Sequence, residues 1–157
     1  MYELESLNEL VELVENKEFD LFVLLSLAIK SEINAHNNYE SLSELEISHG
    51  IKKTLIRLRD QEMEHENILR DIFAGFYPGK EPNTSIATPY GELDVSETGN
   101  IFTLLRRAME EEKKSEEFYK KLSHKLEGAN RKLVSYLSYI EREHYETLRK
   151  ELEEAES

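Results

Sequence analysis

The sequence contains the motif Glu-x-x-His twice, as Glu62-x-x-His65 and as Glu141-x-x-His144. On a helix, residues three apart lie on one face about one turn apart, so each motif can offer a carboxylate oxygen and an imidazole nitrogen to one metal ion. Residues 58–69 align without gaps on residues 137–148 and match at Leu, Glu, Glu, His and Leu. This repeat predicts two equivalent helices, each carrying part of one metal site.

A second repeat adds one carboxylate to each half. Segments 28–39 and 108–119 both read Ala, then Glu four residues later, then Tyr seven residues after the Glu, so Glu32 and Glu112 are equivalent. Each of these glutamates precedes one Glu-x-x-His motif along the chain. Both interrupt an apolar helical stripe, where a carboxylate costs several kcal/mol unless another group compensates it.

The spacing of apolar residues predicts four long helices, over about 18–45, 51–73, 101–126 and 129–154, and a short leading helix over 6–15. Gly50 and Gly128 mark the turns within the two helix pairs, and the apolar stripe of the fourth helix includes Leu133. Residues 74–100 hold all three prolines and four of the six glycines, which indicates a long connection.

This connection decides the topology. Extended chain covers about 3.3 Å per residue and a helix about 1.5 Å, so residues 74–100 can run back along a helix and leave the second and third helices parallel. We therefore predict an all-α, ferritin-like four-helix bundle with a crossover between helices two and three and a short extra N-terminal helix. We expect one domain over residues 1–157.

The two repeats together give the predicted metal site, which consists of Glu32, Glu62, His65, Glu112, Glu141 and His144. Four carboxylates balance the charge of two divalent ions, which removes the repulsion among buried carboxylates. Nitrogen and oxygen ligands without thiolate suit iron or manganese, and zinc would bind as a substitute. We predict two iron ions bridged by Glu62 and Glu141, and we expect the six residues to be catalytic.

Four further residues lie on the same helix faces. Tyr39 and Tyr119 follow the two lone glutamates by two turns, and they either hydrogen-bond to the site or only fill the core. His36 and Glu116 follow the same glutamates by one turn, and they are either extra ligands or lining of the interior.

Composition excludes several other functions. The chain has no cysteine, so these 157 residues form no disulfide, iron–sulfur cluster or thiolate-bound zinc or iron site. The net charge of −13 repels phosphate backbones and anionic membranes, so we expect neither nucleic-acid nor membrane binding. The most apolar stretch, residues 19–29, is too short to span a bilayer and lacks the basic start of a signal peptide. We expect a cytoplasmic protein.

The residues resemble the rubrerythrin family of the ferritin-like superfamily. The resemblance covers about residues 18–152. It rests on both Glu-x-x-His motifs, on Glu32-x-x-Ala35 with Tyr39, and on Glu112-x-x-Ser115 with Tyr119. It implies a non-haem di-iron oxidoreductase that reduces hydrogen peroxide, oxidises ferrous iron, or does both, in defence against oxidative stress.

The sequence departs from this family in two places. Rubrerythrins usually carry a rubredoxin domain that supplies electrons, whereas this chain has no cysteine. The resemblance therefore implies a separate electron donor, either a rubredoxin-like protein or a flavoprotein. Rubrerythrins also carry a second carboxylate on the third helix, three residues after the first, where this chain has Ser115. Glu116 is the nearest replacement.

Two other functions remain open from the sequence. A bacterioferritin-like iron-storage protein also uses two Glu-x-x-His motifs and binds haem through a methionine placed like Met63. A metal-free helical interaction module would keep the scaffold, but we would expect it to replace some buried glutamates, and all six ligand positions are filled here. We expect a homodimer, the commonest symmetric state, and the long crossover permits exchange of helix pairs between chains.

Overall fold

The computed structural model describes residues 20–86, 93–98 and 100–156. Within these ranges the chain forms four long helices, α1 (Leu21–Ser43), α2 (His49–Phe76), α3 (Ile101–Ser123) and α4 (Gly128–Glu156), and a single-turn helix, Val95–Thr98. No described residue belongs to a strand. The predicted all-α four-helix bundle is confirmed, whereas the predicted leading helix over 6–15 lies outside the described residues.

Polar side chains cap the starts of the first three long helices. Asp20, Ser48 and Asn100 accept the backbone N–H of Phe22, Ile51 and Phe102 at 2.9, 3.3 and 3.0 Å. These caps satisfy donors that a helix start leaves without a partner.

The loop between α1 and α2 falls at residues 44–48. Gly50 lies within the first turn of α2 rather than in this loop. Gly128, which begins α4, has a φ of 58°, a conformation that favours glycine.

Hydrogen bonds between the helix pairs define the bundle. The hydroxyl of Tyr39 donates to Glu112, and the hydroxyl of Tyr119 donates to Glu32. Because the higher-numbered residue of α1 meets the lower-numbered residue of α3, these two helices are antiparallel neighbours. Helices α2 and α4 contact each other on the other side of the bundle.

The connection between α2 and α3 runs along α1. The backbone N–H of Asn83 donates to Ser26 Oγ, and that of Leu93 donates to Asn38 Oδ1, both at 3.0 Å. The two contacts follow the direction of α1, so α2 and α3 are parallel and the predicted crossover is confirmed. The connection also contains the single-turn helix, where the sequence predicted no helix.

Helix α1 is buried on nearly all sides in its first half. Five apolar residues there are fully buried: Leu24, Leu25, Leu27, Ala28 and Ile29. Successive helical residues point in different directions, so a run of this kind cannot form a single stripe. Ile86 of the connection is 5% exposed and packs in the same core cluster. The connection thus covers a face of α1 that would otherwise meet water.

One apolar position was predicted on the wrong side of its helix. Leu133 is 40% exposed, while the next residue, Val134, is fully buried. Val134 lies on the same face as Leu137, Glu141 and Leu148, which are also buried. The inward stripe of α4 therefore begins at Val134.

No helix of the described ranges has both the length and the apolarity needed to cross a bilayer.

Candidate metal centre

The structure brings the six predicted site residues together inside the bundle. They come from all four long helices: Glu32 from α1, Glu62 and His65 from α2, Glu112 from α3, and Glu141 and His144 from α4. Each of these residues is between 1% and 2% exposed. Buried carboxylates at this density require compensation by protons or cations.

The six residues form two groups of four possible ligands. One group is Glu32, Glu62, His65 and Glu141, and the other is Glu62, Glu112, Glu141 and His144. Within each group one atom from every residue lies within 4.8 Å of the others. Glu62 and Glu141 belong to both groups, so the two carboxylates predicted to bridge are the ones that both halves share.

Each imidazole lies closest to the shared carboxylate of the opposite helix. His65 Nδ1 is 2.8 Å from Glu141 Oε1 and 3.5 Å from Glu62 Oε1. His144 Nδ1 is 2.8 Å from Glu62 Oε1 and 3.5 Å from Glu112 Oε2. The two rings are nearly parallel, with an interplanar angle of 13° and centroids 5.7 Å apart. The two halves are therefore related by an approximate twofold arrangement.

Burial and mutual repulsion govern the protonation of this cluster. Burial, followed by the charge of Glu112, raises the pKa of Glu62 and of Glu141 well above the usual range. Burial also acts to raise the pKa of Glu112, but a hydrogen bond with Glu141 and the charge of His144 outweigh it and lower that pKa. Burial acts to lower the pKa of His144, but the charges of Glu112 and Glu62 raise it to about 10. Without cations, the cluster therefore holds protons at neutral pH.

Several buried atoms of the cluster make no hydrogen bond of good geometry. They are Glu32 Oε2, Glu62 Oε1, Glu112 Oε2 and His144 Nδ1. Buried polar atoms in native proteins nearly always have a partner. These four atoms belong to the two ligand groups and are carboxylate oxygens or an imidazole nitrogen, which are common ligands for divalent cations. The residues present therefore fit two divalent cations, whose four positive charges would match the four carboxylates.

The two buried tyrosines hydrogen-bond to the site, which decides between the alternatives left open by the sequence. Tyr39 OH donates to Glu112 Oε1 at 2.5 Å, and Tyr119 OH donates to Glu32 Oε1. Each tyrosine therefore holds the glutamate of the opposite helix rather than the one on its own helix. The other oxygen of each glutamate belongs to the set without hydrogen bonds. The tyrosines thus orient the two terminal carboxylates.

We expect Tyr119→Phe to destabilise the protein without removing a ligand. The substitution leaves Glu32 Oε1 buried without its donor, which typically costs about 1–3 kcal/mol. Urea denaturation of the metal-free protein would measure the loss. Tyr136→Phe is the matched control, because Tyr136 is 51% exposed and its substitution should change the free energy of unfolding by less than about 0.5 kcal/mol. Equal losses in both variants would contradict the orienting role of Tyr119.

The two possible extra ligands lie outside both ligand groups. His36 Nε2 is 3.1 Å from Glu66 Oε1, and both side chains are half-buried. Glu116 Oε1 is 3.7 Å from the guanidinium of Arg142. Met63, the residue compared with a haem-binding methionine, is 46% exposed on α2.

One residue that the sequence patterns did not indicate also contacts the site. Gln61 Oε1 lies 2.7 Å from His144 Nε2, on the side of the ring away from the carboxylates. The only signal in the sequence is its position directly before Glu62, where the second motif has Ile140 instead.

Comparisons with known proteins agree with this geometry. The family model described as Rubrerythrin matches residues 24–152. The solved structure of a hypothetical protein from Pyrococcus furiosus is similar, with 35% sequence identity over 89% of this chain and 93% of that chain and a TM-score of 0.77. No curated protein matches the chain significantly. Because the family model matches most of each long helix and includes all six candidate ligand residues, the chain belongs to the rubrerythrin family.

Proposed function

We propose that this protein is a non-haem di-iron oxidoreductase that reduces hydrogen peroxide. The observation that carries the proposal is the pair of buried ligand groups that share Glu62 and Glu141. Glu62 and Glu141 could each contribute to the binding of both cations, so two ions would be held by one cluster of residues. A helical scaffold without a catalytic role would not need four buried carboxylates, which destabilise a fold unless cations or protons compensate them.

The residues of the chain divide into holding and orienting roles. Glu32 and His65 would complete one cation position, and Glu112 and His144 would complete the other. Tyr39 fixes one of the terminal carboxylates through its hydroxyl group. When bound, two ferrous ions supply two electrons, which together with two protons convert one hydrogen peroxide molecule to two water molecules.

The same burial that raises the pKa values in the cluster also excludes bulk water from it. Glu62 and Glu141 hold protons in the metal-free state, and cations would displace those protons on binding. The carboxylates then carry the negative charge that the cations require. Loading is therefore expected to release protons to the solvent.

Re-reduction after each turnover needs electrons from a donor that lies outside these 157 residues. The 157 residues contain no cysteine and therefore no thiolate-bound iron that could deliver electrons internally. We propose a rubredoxin-like protein or a flavoprotein as the donor.

The homodimer remains a prediction, and sedimentation analysis would distinguish it from a monomer or a large shell.

Metal content and oxidant preference test the proposed function. Protein purified without added metal, then loaded anaerobically with ferrous iron, should bind two iron ions per chain. Stopped-flow mixing should show faster oxidation by hydrogen peroxide than by oxygen. Rapid oxidation by oxygen with continued iron uptake would instead support iron storage, and the absence of stoichiometric metal would leave only the scaffold.

Histidine variants show whether the bound metal occupies the proposed site. His65→Ala and His144→Ala should each weaken metal binding by more than the roughly 10–100-fold that loss of an outer partner costs. His49→Ala and His124→Ala are the matched controls, because both histidines are exposed near helix ends. Chelator should lower the melting temperature of the loaded parent protein and of both controls. Unchanged metal occupancy in the variant that lacks both site histidines would refute the site.

A further inference from the structure

The two halves of the centre carry the same ligands but differ immediately beside them. Gln61 directly precedes Glu62, and Ile140 directly precedes Glu141. Because the two Glu-x-x-His motifs align without gaps, these positions are equivalent in the approximate twofold arrangement. One half therefore has an amide side chain where the other has an aliphatic one.

Gln61 reaches across from α2 to the histidine of α4. Its side-chain oxygen accepts a hydrogen bond from His144 Nε2 at 2.7 Å. A proton held on Nε2 leaves the lone pair of a neutral imidazole on Nδ1. His144 Nδ1 faces the carboxylates, 2.8 Å from Glu62 and 3.5 Å from Glu112. Gln61 thus fixes both the orientation of the ring and the tautomer that can bind a cation.

Among the described residues, His65 has no outer partner equivalent to Gln61. Its Nδ1 faces Glu141 at 2.8 Å, but within the described ranges no group forms a hydrogen bond with its Nε2. The equivalent position in the other motif is Ile140, whose side chain cannot accept a hydrogen bond. Of the contacts among the described residues, those that hold the His65 ring are packing and the contacts of its Nδ1.

We infer that Gln61 is a positioning residue that makes the His144 half the tighter cation site, so the two cations bind in a fixed order. The inference rests on the proposed di-metal function and adds an order of loading to it. Outer partners of metal-binding histidines typically change metal affinity by about 10–100-fold. The first cation is held by Glu112 and His144 with the shared carboxylates, and the second by Glu32 and His65.

Anaerobic calorimetric titration with Co²⁺ tests the order directly. The parent protein should bind two ions in two steps whose dissociation constants differ by about 10-fold or more. Gln61→Leu should weaken the first binding step until the two dissociation constants are similar. Ile140→Gln should tighten the second binding step and so reduce the ratio of the two dissociation constants. Gln61→Glu restores an acceptor oxygen and should keep the first step tight, which a change in packing alone would not explain. Gln61 is half-buried, so the protein should tolerate these substitutions.

Single-histidine variants identify which half each step belongs to. The first step should disappear in His144→Ala, whereas the second should disappear in His65→Ala. In the Zn²⁺-loaded protein, ¹⁵N-resolved NMR should show a slowly exchanging Nε2 proton on His144 that exchanges faster in Gln61→Leu. Two equal steps in the parent protein, or an unchanged first step in Gln61→Leu, would overturn the inference while leaving the di-metal site intact. Failure of the parent protein to bind Co²⁺ at all would overturn the proposed function as well.

Discussion

Replacing Glu62 and Glu141 together with glutamine is expected to abolish metal binding and, at the same time, to stabilise the metal-free protein. Both ligand groups lose two carboxylates, because these are the residues that the groups share. Burial raises the pKa of both side chains well above the usual range, so the native metal-free protein must keep two protons that the unfolded chain releases at neutral pH. Neutral glutamines of nearly the same shape remove this requirement. For each carboxyl, retaining the proton costs about 1.4 kcal/mol for every pH unit between its unfolded-state pKa and neutral pH, and the glutamines remove this cost.

The chain offers a matched control two residues further along each motif. Glu64 and Glu143 lie on the same helices but are exposed. Glu64→Gln with Glu143→Gln should leave both the metal content and the free energy of unfolding nearly unchanged. Elemental analysis and urea denaturation in the presence of chelator would compare the three proteins. A Glu62→Gln, Glu141→Gln variant that is less stable than the metal-free parent would show that the carboxylates contribute to the fold by themselves.

The clustering of the six candidate ligand residues could be predicted because their signals are periodic and repeated. A Glu-x-x-His motif fixes the face of its own helix, and the second copy shows that the helices are related. Placing Glu32 and Glu112 in the core needed only the apolar residues around them. The presence of Glu62 and Glu141 in both ligand groups also agrees with the predicted bridging positions.

The partners of the tyrosines were not predictable from the same signals. Tyr39 lies on the same face of α1 as Glu32, yet its hydroxyl donates to Glu112 of α3. The reason is that α1 and α3 are antiparallel, which places the tyrosine of one helix level with the glutamate of the other. Periodicity shows which face is buried, but the partner on that face depends on how the helices dock.

The burial of α1 on several sides and the contact of Gln61 with His144 were not predicted, for a related reason. Helical periodicity of apolar residues predicts one buried face for each helix. In α1, however, Leu24, Leu27 and Ile29 are all buried, because the connection packs over this helix. The high density of apolar residues over 19–29 was the available signal. Gln61 gave almost no signal, since a single polar residue before a motif is ordinary on a half-buried helix position. Its importance depends on a contact with another helix.

Raising the pH is expected to destabilise the metal-free protein much more than the metal-loaded protein. Burial acts to lower the pKa of His144, but the charges of Glu112 and Glu62 raise it from 6.5 to about 10. The native state therefore binds a proton in this range that the unfolded state has lost, and stability falls as the pH rises between these two values. Glu62 and Glu141 act in the same direction above the ordinary range of glutamate, because burial raises their pKa values. Glu112 acts oppositely, but only at acidic pH, because its pKa is lowered.

The size and origin of this pH effect can be separated by experiment. Each proton that only the native state retains should lower the free energy of unfolding by about 1.4 kcal/mol for every unit by which the pH rises. Bound cations replace the protons, so Zn²⁺-loaded protein should show a much smaller slope between about pH 6 and about pH 9. The variant Glu62→Gln, Glu141→Gln should lose most of the slope of the metal-free parent, because both carboxyl protons are absent and Glu62 no longer helps to raise the pKa of His144. Urea denaturation across this range would measure all three proteins. If the metal-free parent instead keeps a constant stability as the pH rises, the cluster does not hold these protons, and the electrostatic account of the site is wrong.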